Sequence, residues 1–395
     1  MKRLGFFACI LSALKGCFTN RACVSFFAMA VAFYSFYYAL PYGHQLPEHL
    51  KAVVVDLDQS SVSRRFIHEL RAVPQLNIVE VHQETGPAVK QMDRDRAWAI
   101  ITIPANFSRD LLNNRHTSVS VVADGSFIVA ARYSIQGVQG PLQAAVKTAL
   151  AKEMVAGGIP LASILKDARK APPVVIQFMY NTLGGYLNFV FPIVFIIIFQ
   201  TIFLCGIGML LNDWFRQDKP HPVLLEAIAS TKGYLALICA FTVVIFAWIV
   251  YSEGFACAYH GINSMKNISG TLTLGLIYAV CVACLGTCIA FFMGRAPLIM
   301  QCIVPTSLVM VFICGDVFPV QNMPVWAQCL GALAPSTPAV HALVRVSQAG
   351  APLSSVSADA AHILALTLVF FALGLWRARL YRRYLPSAMT SPKRS

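Results

Sequence analysis

Two rhythms of apolar and polar residues run along this chain. The longer one is a rhythm of blocks. Six uncharged stretches approach or exceed the ~20 residues that cross a hydrocarbon core. They are Ala22–Leu40, a stretch within Thr182–Leu211, Gly233–Ser252, about Ile268–Met293, about Ala296–Gly315 and about Ala360–Trp376. The short "GRAP" between the fourth and fifth makes those two a hairpin.

The shorter rhythm fills residues 41–181. β-Branched runs predict strands at Ala52–Asp56, Leu76–Val81, Ala97–Ile103 and Ser118–Asp124. Helix-like runs are Ser60–Ala72, Gly86–Asp93, Pro104–Asn113 and Ile128–Ala156. Strands alternating with helices predict a small α/β domain with its own core. Between the fifth and sixth blocks lies Phe318–Ser357, neither polar throughout nor long enough to span. Prolines divide it, which predicts a broken pair of short helices at one membrane face. Such backbone is tolerated at depth only under protein or water.

Composition agrees with the blocks. Of 395 residues 57% are hydrophobic and 12% charged, against about 25% charge in a soluble domain. The net charge of +13 raises the question of nucleic acid. The basic residues flank apolar blocks instead of forming one stripe, so the charge reads as membrane topology and no nucleic acid is expected.

Basic residues collect in alternate loops. Lys2, Arg3, Lys15 and Arg21 precede the first block. Arg216, Lys219 and Lys232 follow the second. Arg295 sits in the hairpin, and Arg377, Arg379, Arg382, Arg383, Lys393 and Arg394 follow the sixth. The remaining short loops hold Lys266 and Arg345 against Glu253, Asp316 and Asp359. The positive-inside rule then makes both termini cytoplasmic and puts 41–181 outside. The first block is too long for a cleaved signal's apolar core of about 7–15 residues, so it reads as an uncleaved signal anchor. The expected fold is an α-helical polytopic membrane protein of six transmembrane helices with an inserted extracytoplasmic α/β domain. Its parts are a cytoplasmic segment 1–21, a helix 22–40, the α/β domain 41–181, helices two to six over 182–377 with an inner loop 212–232 and the outer broken pair 318–357, and a basic cytoplasmic tail 378–395.

Several residues invite chemistry. "VVVDLDQSS" ends an apolar strand in Asp56 and Asp58, a spacing that haloacid-dehalogenase phosphatases use for nucleophile and acid/base. No later acidic pair is present to hold magnesium. A strand end and helix cap is the simpler reading, with no capping box because Glu69 is not three residues after Ser60. Asp124-Gly125 ends another strand in a turn. Twelve cysteines are present, but none lies between Gln45 and Asn181. Cys281, Cys284 and Cys288 share one helix face and read as small packing residues, not a metal site. Cys257 and Cys329 fall in outer loops, where a disulfide is one option. No phosphate-binding loop motif occurs, so ATP is not bound here in that manner. No catalytic, cofactor or metal residue is assigned.

The layout and three segments together resemble the type-2 ABC exporter permeases with a periplasmic domain. The segments are "VVVDLDQSSVSRRFIHEL", "RAWAIITIPANFSRDLLNNRHTSVSVVADGS" and "GDVFPVQNMPVWAQCLGALAPSTPAVHALVRVSQAG". The resemblance covers nearly the whole chain. It implies a second permease chain, identical or related, and separate cytoplasmic ATPase subunits that bind the ATP. It also implies a bacterial inner-membrane location and an optional periplasmic adaptor and outer-membrane channel. A hydrophobic or amphipathic cargo follows from spans without an intramembrane charge, Asp316 and Arg345 being the nearest candidates.

ATPase coupling is then expected in 212–232, where Trp214, Phe215 and Arg216 would anchor in an ATPase groove and Val223–Ile228, with Leu224 and Leu225, would form a short coupling helix. Here "DWFRQDKPHP" departs from the acidic-basic run with a Gly-Thr that family members carry. An atypical partner, or a plain juxtamembrane loop with interfacial anchors, remains open. Pro192 and Pro305 are candidate kinks, and Gly184, Gly185, Gly206 and Gly208 permit close helix approach. The rival class is a membrane-anchored enzyme or sensor acting through the α/β domain.

Overall fold

The computed structural model describes residues 4–42, 47–93, 97–112, 117–124, 128–156, 185–216, 220–315 and 318–382. Contacts divide the chain into two compact units, Met1–Gly43 with Met179–Ser395, and His44–Phe178.

The chain opens with two helices, α1 (Phe6–Thr19) and α2 (Arg21–Tyr37), bent by 75° at Asn20. The sequence reading left this start as a basic tail. Its run "FFACILSALKGCFT" instead makes a helix that buries Cys9, Ala13, Gly16 and Cys17. Asn20 is extended and breaks it. Its side-chain oxygen accepts from the N–H groups of Ala22 and Cys23 at 3.0 and 3.2 Å, which starts α2. Its amide donates to Asp213 at 3.0 Å.

In the smaller unit β1 (Leu50–Asp56) leads into α3 (Ser61–Arg71) and β2 (Leu76–His82). Then come α4 (Thr85–Asp93), β3 (Ala99–Ile103), α5 (Phe107–Leu112), β4 (Ser120–Ala123) and α6 (Ile128–Ala156). The sheet order is β2-β1-β3-β4, with β1 parallel to both neighbours and β4 antiparallel to β3. Parallel neighbours need crossovers, and α3 and α4 supply them. A strand covered on both faces reads as a continuous apolar run, which is why Ala52–Val55 shows no alternation. Ala52 and Val54 pack with Phe66, Leu70, Ile101 and Phe107, while Val53 and Val55 pack with Ala88, Ala97 and Ile100.

A capping box does start α3, contrary to the sequence reading. Ser60 accepts from the N–H groups of Val62 and Ser63, and its own N–H reaches back to the Ser63 hydroxyl at 2.9 Å. Serine fills the position where glutamate or glutamine is usual.

The larger unit continues with α7 (Tyr186–Arg216), α8 (Pro222–Ala229), α9 (Thr231–Tyr259), α10 (Ile268–Met293) and α11 (Ala296–Ile313). The broken pair follows as α12 (Val325–Ala332) and α13 (Ser336–Leu343), and α14 (Ser357–Arg382) ends the described chain. Among the described residues α7, α9, α10, α11 and the stretch Leu353–Arg382 are each long and apolar enough to cross a membrane, and the bent pair α1–α2 qualifies when taken together. α10 packs against α7, α9 and α14. Its small residues Gly275, Ala279, Cys281, Ala283, Cys284 and Gly286 are buried, which lets its neighbours approach closely. Gly206 of α7 lies against the Phe27 ring and Gly208 against Ile299, so a side chain at either would collide. Gly184 lies outside the described residues.

Pro192 sits inside α7. It has no N–H, so the carbonyl four residues earlier, that of Asn188, loses its helical donor. Gln348 supplies a replacement, its side-chain amide donating to Asn188 O at 3.1 Å.

Candidate functional site

One end of the larger unit gathers the start of α1, the end of α7, α8, the start of α9, the α10–α11 turn and the end of α14. The element ends that carry Arg216, Lys232, Arg295, Arg377, Arg379 and Arg382 meet here, as the contacts of Tyr381 with Phe215 and Gly294 and of Arg379 with Ile228 show. Two prolines precede or open α8, with Pro222 at its first turn, where its missing N–H costs nothing. α8 buries Val223, Leu224, Ala227 and Ile228 and leaves Pro222 exposed and Leu225, Glu226 and Ala229 partly exposed. Arg379 of α14 donates to the Ile228 carbonyl and, at 3.1 Å, to Thr231 Oγ1. Gly233 lies under the Glu226 carbonyl, a spot where no Cβ fits.

The five predicted coupling residues separate into two groups. Trp214 is 3% exposed, and its ring lies 4.2 Å from that of His221 at an angle of 10°. Gly16 of α1 takes the other side, where a Cβ would stand 2.5 Å from the indole. Leu224 is fully buried. Both side chains are spent inside the chain: Trp214, expected as an anchor in an ATPase groove, packs between Gly16 of α1 and His221 before α8. Phe215 is partly buried between Phe291 and Tyr381. Arg216 is exposed and Leu225 partly exposed. Burial holds the His221 imidazole below its ordinary pKa.

Midway along the bundle a cleft of about 170 Å³ opens between α7, α10, α11 and α12. Leu204, Leu285, Ile289, Ile303 and Met310 make it apolar, and Gln200, Thr201, Thr306 and Ser307 add polar atoms. The Thr201, Thr306 and Ser307 hydroxyls donate to carbonyls of their own helices. The cleft therefore offers apolar surface with few free polar groups.

A sequence model of the ABC-2 family of transporter proteins matches residues 21–376. The chain belongs to this family. Comparison with curated proteins and with solved structures finds no significant match. As an ABC-2 family permease the chain is the membrane-spanning transport subunit of an ABC transporter.

In the permease Asp56 and Asp58 stand at the carboxyl ends of β1 and its neighbour β3, the switch point where open α/β sheets often bind ligands. Their oxygens are engaged within the chain. Asp56 Oδ1 accepts from the N–H groups of Asp58 and Gln59 at 3.1 and 3.0 Å, and Oδ2 from the Ser63 hydroxyl at 2.8 Å. Asp58 accepts from the N–H and hydroxyl of Ser108, at the start of α5. This geometry shapes a turn and leaves no free nucleophile. Among the described residues no cluster of His, Cys, Asp and Glu has metal-holding geometry. Cys257 is buried and Cys329 exposed, both as free thiols, so the two do not form the disulfide that sequence left open. Asp316 lies outside the described residues. Arg345 is exposed.

One residue with chemical weight was missed. The apolar run of the third span ends at Ser252, so Glu253 counted as an outer-loop charge. The helix instead continues through a π turn, Ser252–Ala256, to Tyr259, and Glu253 is 5% exposed. The signal was the apolar "FACAY" after it, which extends the helical pattern past one charge.

Proposed function

We propose that this permease works in an ATP-driven exporter as one of a pair of like chains, with α8 as the docking helix for a separate cytoplasmic ATPase subunit. The observation that carries the reading is α8 itself. It is short, pinned at the basic end of the bundle by its apolar face, and leaves Pro222, Leu225, Glu226 and Ala229 outward, with the exposed Arg216 at the preceding end of α7. A basic end is expected to face the cytoplasm, which supports an inner-membrane protein with cytoplasmic termini and an extracytoplasmic 41–181. The apolar cleft supports a hydrophobic or amphipathic cargo. The exposed apolar face of α11 supports pairing with a second permease. A periplasmic adaptor and outer-membrane channel remain optional partners.

The experiment is co-purification. Leu225→Asp combined with Arg216→Glu is expected to abolish recovery of the ATPase subunit while membrane insertion is unchanged. Undiminished ATPase recovery sinks the docking assignment.

A further inference from the structure

Two π turns meet at the end of the larger unit opposite the basic cluster. The first, Ser252–Ala256 of α9, carries Glu253. The second, Val344–Gln348, follows α13. π turns of this kind are often found at functional sites. The Ser347 hydroxyl, 1% exposed, donates to Glu253 Oε2 at 2.6 Å. The Ser347 hydroxyl oxygen in turn accepts the Met265 N–H at 3.0 Å, and the Ser347 carbonyl accepts the Lys266 N–H at 2.9 Å. Ser264 donates to the Glu253 carbonyl. Met265 is held in the left-handed region at φ 56°, a conformation that persists only where surrounding contacts fix it. Glu253 and Ser347 therefore clip three segments: the end of α9, the loop 260–267 and the second π turn. Gln348, next in line, clips the same turn to α7.

At this end of the unit the titratable and charged groups on the elements around the Glu253 carboxyl are Tyr251, Cys257 and Tyr259 on α9, Tyr34 and Tyr37 on α2, His260 and Lys266 in the loop, and Arg345 on the second π turn. His260 contacts the Ser35 carbonyl at 2.8 Å. Among the described residues Glu253 makes no ion pair. A buried carboxylate without a counter-charge is costly, and a proton removes that cost.

We propose that Glu253 is a proton-binding site. As the neutral acid it keeps the three segments closed, and loss of its proton to water frees the 260–267 loop and the second π turn. The closed form binds one more proton than the open form, so closure is favoured at low pH and weakens as pH rises. The weakening begins above the ordinary glutamate value of about 4.3, at about tenfold per pH unit, until the closed form has itself lost the proton.

Hydrogen exchange on the full chain in lipid nanodiscs tests this and requires neither ATPase nor cargo, so its failure is separate from failure of the export reading. The amides of Met265 and Lys266 report closure directly. After correction for intrinsic exchange, their protection in the wild-type chain is expected to fall about tenfold per pH unit over the titrating window. Glu253→Gln is expected to remove the slope, and Glu253→Met serves the same purpose should the Gln variant not be recovered. Ser347→Ala is expected to lower protection at every pH while keeping the slope. A flat wild-type profile, or an equal slope in the uncharged variant, overturns the proposal.

Discussion

α7 and α11 are both apolar enough to span a membrane, with mean hydropathies of 2.6 and 2.0 over their best windows, yet 83% of the first window is buried within the chain and only 11% of the second. Hydropathy reports that a helix leaves water. It does not report what it meets instead. α7 meets protein on all sides, because Gly206 and Gly208 admit Phe27 and Ile299. α11 leaves Leu298, Val304, Leu308 and Phe312 outward, and its neighbour α12 does the same with Val325 and Trp326. One helix is an axis of the fold and the other a free face, the one that supports pairing with a second permease.

Two tryptophans give the strongest test of this contrast. Trp214 at the end of α7 is buried, and Trp326 on α12 is 68% exposed. Trp214→Ala is expected to cost about 3–5 kcal/mol, as for other buried aromatic truncations, read as loss of detergent-resistant folded protein. Trp326→Ala is expected to stay within about 0.5 kcal/mol in the same thermal assay. Equal losses would erase the distinction. A smaller effect should come from Gln348→Ala. It removes the amide that reaches the Asn188 carbonyl, a loss of about 0.5–1.5 kcal/mol for one hydrogen bond, read as faster hydrogen exchange at the start of α7. The smallest concerns His221. Its depressed pKa means that the stacked, neutral ring is fully favoured above about pH 6.5 and is increasingly disfavoured as pH falls below that value. The Trp214 fluorescence, taken as the difference from Trp214→Phe, should change only in that acid window.

The spans and strands were legible because each carries its own pattern. Val53–Val55 and Ile100–Ile103 are β-branched runs. The blocks are long and uncharged. What was not legible depended on partners distant in sequence. Trp214 read as an anchor for an ATPase groove because it stands in an inner loop beside Arg216, and the approach of Gly16 together with the stacked His221 buries it. Ser63 replaced the expected glutamate in the α3 cap, so the box was invisible to a rule keyed to residue type. Glu253 was hidden by its own charge, which ended the apolar run at Ser252, although the helix continued to Tyr259 and Ser347 came to meet it. The start of the chain read as a tail because its lysines drew attention from the apolar residues between them.

The bond between Gln348 and Asn188 spans 160 residues. During synthesis α7 enters the membrane first, its Asn188 carbonyl not yet met by Gln348. At ordinary translation rates the glutamine follows on the order of ten seconds later. The proline segment of α7 thus gains this long-range bond only when almost all of the chain has been made, so a truncated or stalled product lacks it.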